Sequence, residues 1–171
     1  DLPKAENFYS FPYAGKEFIM PSLPPENKKN KVSAQGGPAL GWDYIKQAID
    51  AGYDAVHFDG SKLPLDENIK ITKEVVKYAK WRGVLVEGEV GKIGTDSSRV
   101  YTEKFEIKED DLTKAEDAQK FLKETKADLL AISKGNFHGI EATGIDPNLR
   151  LDILKAVKEK TGNAFFVLHG G

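Results

Sequence analysis

From residue 41 onward the apolar positions follow two alternating periods. Trp42, Ile45, Ala48 and Ile49 recur at helical spacing, and Gly52 ends that run. Residues 55–58, Ala-Val-His-Phe, read as a short strand, and a loop over 60–68 follows. The stretch 67–80 carries Ile71, Val75, Val76 and Ala79 on one helical face and stops at Gly83. Residues 84–90 read as the next strand, before a long polar stretch to about Asp111. Thr113 with Glu116 predicts a capping box opening a helix to Lys123, with Ala118, Phe121 and Leu122 turned inward. A strand over 129–132 follows. Asp146-Pro147 predicts a cap and first-turn proline for a helix through Leu151, Leu154 and Val157, closed by Gly162. The last strand covers 165–168. Helix and strand alternate four times, the pattern of a parallel sheet with crossover helices.

The first forty residues lack this regularity. Phe8, Tyr9, Phe11 and Tyr13 follow no period, so residues 1–16 read as an extended segment or loops. A strand is expected within 17–23, around Phe18-Ile19-Met20, with Pro21 ending it or placing it at an edge. Residues 24–38 read as a loop whose Lys28, Lys29 and Lys31 make a solvated basic face. The chain thus divides into an irregular segment, 1–40, and one domain, 41–171. Both ends read as cuts: Asp1 is not an initiator, and the last strand runs straight into His169-Gly170-Gly171.

Composition narrows the function classes. With 171 residues, 40% apolar and 30% charged, the chain suits one soluble domain with a sizeable core. A net charge of -2 gives no reason to expect nucleic acid or an anionic membrane as partner. No apolar run reaches the length of a membrane span. The absence of cysteine excludes disulfides and thiolate metal sites, and fits a cytoplasmic protein.

The residues that bring chemistry sit where strands end. Lys134 to Gly139 reads K-G-N-F-H-G directly after the apolar strand at 129–132. His169-Gly170-Gly171 follows the last strand in the same way, and His57 lies inside the strand before Asp59-Gly60-Ser61. Glu87 and Glu89 share one face of their strand, because the strand period is two. Two carboxylates inside a strand are costly unless a cation or metal meets them. No G-x-G-x-x-G follows the first of these strands, and no phosphate-binding G-x-x-x-x-G-K-S/T occurs. Polar residues at the ends of several strands instead suit a (β/α)8 barrel of the TIM type, incomplete here at four to five βα units where a full barrel takes about 250 residues.

A family resemblance follows from the motifs. Asp59-Gly60-Ser61, Pro64, Glu67-Asn68-Ile69, Thr72 and Glu74-Val75-Val76 resemble the D-G-S…E-N-I…T-x-E-V-V segment of the class II, metal-dependent fructose- and tagatose-bisphosphate aldolases. Val86-Glu87-Gly88-Glu89-Val90-Gly91 with Ile93-Gly94 is similar to V-E-A-E-L-G-x-x-G, Gly135-Asn136-Phe137-His138-Gly139 to G-N-x-H-G, and Val167-Leu168-His169-Gly170-Gly171 to V-L-H-G-G. The motifs come in the family's order and cover residues 41–171.

The resemblance implies a zinc (or other divalent metal) site with His138 and His169 as ligands, the metal polarising a ketose carbonyl. It implies a phosphorylated ketose or triose as substrate, with Gly139, Gly170 and Gly171 close to its phosphate. Ser61 and Asn136 are further candidates for substrate contact, and Glu89 and Asp59 are the candidate catalytic carboxylates. It also implies a homo-oligomer, dimer or tetramer. The family's H-x-D-H motif, which supplies its first metal histidine and a proton-transfer aspartate, has no counterpart: Ser33 to Gly41 reads S-A-Q-G-G-P-A-L-G. The family's first two strands and its last strand are absent as well. His57, two residues before Asp59 on the same face, is the candidate for the third nitrogen, placed deeper than a loop ligand. Three functions fit: retro-aldol cleavage of a ketose of the fructose 1,6-bisphosphate type, binding of a sugar phosphate or protein partner without turnover, or another metal-dependent barrel chemistry.

Overall fold

The computed structural model describes residues 8–13, 16–21, 38–93, 100–101, 107–137, 140–141 and 148–169. Its centre is a four-stranded sheet in the order β3-β4-β6-β8, from β3 (Ala55–Phe58), β4 (Leu85–Val90), β6 (Leu129–Ile132) and β8 (Phe165–Val167). All neighbours run parallel. The crossovers are α2 (Leu65–Lys80), α3 (Ala115–Thr125) and α4 (Leu151–Thr161), preceded by α1 (Pro38–Asp50). Short strands β5 (Val100–Tyr101) and β7 (Ile140–Glu141) pair parallel to each other. This repeating βα arrangement is a segment of a TIM-type barrel.

The strand period sorts side chains onto two faces. Val56, Phe58 and Val86 turn toward the helices and join Ile45, Ile49, Val75 and Ala79 in one core cluster. Val90, Leu130 and Ile132 join Ile69, Ala118, Phe121 and Val157 in a second. Phe121 has no exposed surface, and burying such a ring stabilises the fold by about 1.5–3 kcal/mol. Gly88 makes room for it: a Cβ there would lie 2.5 Å from Phe121 Cζ. The intervening positions, His57, Glu87 and Glu89, face the other side. Trp42 packs edge-on against Tyr78, with ring centroids 5.6 Å apart, as a helix-packing residue.

The structure refines three local expectations. Residues 8–13 are the extended segment rather than loops. Phe8–Tyr13 forms β1, antiparallel to β2 (Lys16–Pro21), with Phe11 opposite Phe18. Pairing with a neighbouring strand, rather than any period of its own, makes this segment extended. The capping box is absent too. The N-cap of α3 is Lys114, without a side-chain cap. Thr113 Oγ1 instead donates to Val90 O at 2.5 Å and accepts from Ser133 N at 2.7 Å, which ties the ends of β4 and β6 together. Two buried backbone groups compete for this hydroxyl and outweigh a cap that solvent could replace. Finally, α4 is first seen at Leu151 with Arg150 as an uncapped N-cap; Asp146 and Pro147 lie outside the described residues.

Candidate metal centre

The inward face of the sheet gathers two histidines and two glutamates. His57 pairs in register with Glu87, and Glu89 lies two residues further along β4. Glu89 pairs with Ala131, and Ala131 with Val167, so His169 lies two residues beyond Glu89's level. The three positions climb from the interior of the sheet to its carboxyl edge. Glu87 and Glu89 are almost fully buried. His169 Nε2 meets Glu87 Oε1 at 2.5 Å. His57 Nε2 lies 3.4 Å from Glu89 Oε2 and 3.8 Å from Glu87 Oε1. The two imidazole rings have centroids 4.9 Å apart, tilted by 31°.

Electrostatics follow from this crowding. Burial alone would lower the pKa of His57. Contact with Glu89, together with the charges of Glu87, Glu89 and Asp59, outweighs burial and pushes it up to about 9. Without an ion, His57 is the cation that makes two buried carboxylates tolerable. Its Nε2 is nonetheless shielded from solvent with no properly aligned hydrogen bond, a distance-only ion pair.

One ligand atom each from His57, Glu89 and His169 lies within 4.8 Å of the others. Two imidazole nitrogens and a carboxylate oxygen suit a divalent ion such as zinc and leave a coordination position open. The residues present therefore fit the metal that the resemblance implies. Glu87, bonded to His169 Nε2, would orient that ring, as carboxylates beside metal histidines do.

The surroundings hold the ring of His169 in place. Asn136 Oδ1 accepts from Lys134 N at 2.9 Å, and its Nδ2 donates to His169 O at 2.7 Å. The amide thus braces the loop after β6 against the end of β8. Gly135 makes this turn with φ +95°, and a Cβ would stand 2.5 Å from Asn148 O. Asp59 Oδ1 accepts from both the N–H and the hydroxyl of Ser61, at 3.0 and 2.6 Å; neither residue belongs to the donor set. Asn68 donates to Glu89 O at 2.8 Å and accepts from Thr72 Oγ1, fixing α2 against the strand that carries both glutamates. His138, Gly139, Gly170 and Gly171 lie outside the described residues.

Two features escaped the sequence reading. Glu87 is the carboxylate bonded to His169, while Glu89, the candidate catalytic carboxylate, lies in the donor set. Both share one face, and only the stagger between β4 and β8 selects between them. The second is Lys134, whose Nζ is buried and has no hydrogen-bond partner among the described residues. Burial holds its pKa below the ordinary lysine value. A lysine two residues after an apolar strand was the visible signal.

A parallel βα sheet carries a His/Glu/His set, rising toward its carboxyl edge, whose donor atoms could hold a metal ion. The family model described as fructose-bisphosphate aldolase class-II matches residues 37–171, and the chain belongs to that family. It is 43% identical over 131 residues to a 6-phospho-5-dehydro-2-deoxy-D-gluconate aldolase of Shouchella clausii, a match covering 77% of this chain and 42% of the relative. It is 40% identical over 128 residues to a fructose-bisphosphate aldolase of Giardia intestinalis, covering 74% and 38%. Among solved structures, the YdjI aldolase of Escherichia coli K12 superposes with a TM-score of 0.57 at 26% identity, covering 75% of this chain and 39% of that one. The chain spans about two fifths of the length of these relatives. Among the described residues, no helix is long and apolar enough to cross a membrane.

Proposed function

We propose that this chain belongs to a class II aldolase-like lyase that carries out metal-assisted retro-aldol cleavage of a phosphorylated ketose of the fructose 1,6-bisphosphate type into dihydroxyacetone phosphate and an aldehyde. The observation that carries the reading is the convergence of His57, Glu89 and His169 donor atoms at the carboxyl end of a parallel sheet, the end where barrel enzymes place their chemistry. His138 and His169 are the histidines proposed to hold the ion, with Glu89 beside them. Zinc, when bound there, supplies a Lewis acid that polarises the ketose carbonyl and stabilises the charge developing on it.

The remaining work falls to the chain's own groups. Glu87 holds the ring of His169 in orientation, and Asn136 holds the backbone that bears it. Glu89 adds negative charge that favours a divalent cation. Asp59, whose Oδ1 accepts from the N–H and hydroxyl of Ser61, is the carboxylate proposed to take the proton from the substrate hydroxyl. Gly139, Gly170 and Gly171, with Ser61, are the proposed phosphate contacts, where backbone N–H groups approach without a Cβ.

On the same reading the protein works in cytoplasmic carbohydrate metabolism of the glycolytic type as a dimer or tetramer, with 41–171 as one barrel unit beside a separate segment, 1–40. The test is cleavage of fructose 1,6-bisphosphate followed by reduction of the dihydroxyacetone phosphate released, with 6-phospho-5-dehydro-2-deoxy-D-gluconate assayed in parallel. Cleavage abolished by a chelator and restored by zinc is expected. Sugar phosphate binding without cleavage would favour the non-catalytic reading, since Ser33–Gly41 holds neither histidine nor aspartate.

A further inference from the structure

We propose that His57 is itself a metal ligand, so that β3, β4 and β8 together hold a divalent ion through His57, Glu89 and His169. This deepens the proposed function and rests on its metal-dependent site. It adds an imidazole from inside a strand, in a chain whose Ser33–Gly41 segment offers none.

Three independent observations converge. First, one donor atom each from His57, Glu89 and His169 lies within 4.8 Å of the others. Ligand atoms about 2.1 Å from a tetrahedral zinc stand roughly 3.4 Å apart. Drawing the three atoms in by about 1 Å is within the reach of side-chain torsions and leaves the strands where they are. Second, His57 Nε2 is shielded from solvent and lacks an aligned hydrogen bond among the described residues. A buried polar atom without such a bond is uncommon. Here it sits 3.4 Å from the oxygen of Glu89 that would be its fellow ligand. Third, Glu87 and Glu89 are 4% and 2% exposed and flank two imidazole rings 4.9 Å apart. Two buried carboxylates ask for positive charge between them, and a divalent ion supplies it while the imidazoles stay neutral.

Glu87 belongs to the same device without touching the ion. Its bond to His169 Nε2 orients that ring. Two imidazoles and one carboxylate make a borderline ligand set, which favours zinc or cobalt over magnesium and calcium.

The alternative is that His57 is only a cation between Glu87 and Glu89, and the ion is held elsewhere. The full chain, stripped of metal, separates the two. Zinc affinity is measured by competition with a chromophoric chelator for the wild type and His57→Gln, with circular dichroism to establish that each is folded. His57→Gln is expected to bind zinc more than about 100-fold more weakly, since even residues behind metal ligands are worth about 10–100-fold. A second variant does not depend on lost binding. The chain has no cysteine, so a thiolate-to-cobalt charge-transfer band in cobalt-loaded His57→Cys can arise only from position 57. That band is expected.

Unchanged zinc affinity in His57→Gln, or cobalt-loaded His57→Cys without the band, overturns the proposal and leaves the aldolase reading intact. Metal held through His57 with no cleavage of either sugar phosphate upholds the proposal and overturns the aldolase reading. A wild-type chain that binds neither zinc nor cobalt overturns both.

Discussion

Raising the pH should destabilise the metal-free chain through His57. The imidazole has an ordinary pKa of 6.5, and in the fold it is pushed up to about 9. Burial opposes the charge, but contact with Glu89 and the fields of Glu87, Glu89 and Asp59 prevail. Because the folded value lies above the unfolded one, this contribution is fully present below pH 6.5. It shrinks as pH rises and is gone once pH passes about 9. The interval between the two values corresponds to about 3 kcal/mol, at 1.36 kcal/mol per unit. The side chain is 25% exposed, so solvent screening makes that figure a ceiling. The assay is urea unfolding in excess chelator at about pH 6 and about pH 10, chosen to bracket both values, for the wild type and His57→Gln. The wild type should lose up to about 3 kcal/mol more than the variant across this interval. Parallel pH profiles for the two proteins would show that His57 is not the charge between the glutamates. Zinc binding must displace the same proton, so affinity should rise with pH over this range.

Three further outcomes follow from single contacts. Glu87→Gln should weaken zinc binding by about 10–100-fold by loosening the ring of His169, measured by competition titration; nitrogen NMR should show a changed His169 tautomer population, and unchanged affinity with an unchanged tautomer would refute the orienting role. Gly88→Ala should cost about 1–3 kcal/mol in urea unfolding, because the new Cβ meets the ring of Phe121; a neutral effect would mean the α3–β4 contact is looser than described. Thr113→Val should cost about 1–3 kcal/mol, since Val90 O and Ser133 N both lose a buried partner; a stability equal to wild type would refute the tie between β4 and β6 through this hydroxyl.

Much of the fold was legible because its signals are local. The 3.6-residue period in 67–80 and the apolar runs 55–58, 84–90 and 129–132 each state an element without reference to the rest of the chain. Their alternation implies parallel strands, since parallel neighbours need a crossover. Phe8–Tyr13 had no such signal. Its strand exists through pairing with Lys16–Pro21, and pairing is a property of two segments. Thr113 sent a misleading signal: its spacing to Glu116 fits a cap, but the nearness of Val90 and Ser133, 23 and 20 residues away, redirects its hydroxyl.

The sequence by itself determined the class of protein and the residue types of the site: two histidines after strands and one inside a strand, two glutamates on one strand face, glycines beside them, and motifs in the order of one aldolase family. It left open which of those residues meet. Only the tertiary structure decided that His57, from inside β3, reaches Glu89 and His169, and that Glu87 rather than Glu89 holds the ring of His169. The physical reason is stagger. Parallel strands place in-register residues side by side, and a side chain reaches across neighbouring levels by an amount that depends on strand tilt and pleat. Neither tilt nor reach is written in the spacing of residues along one strand.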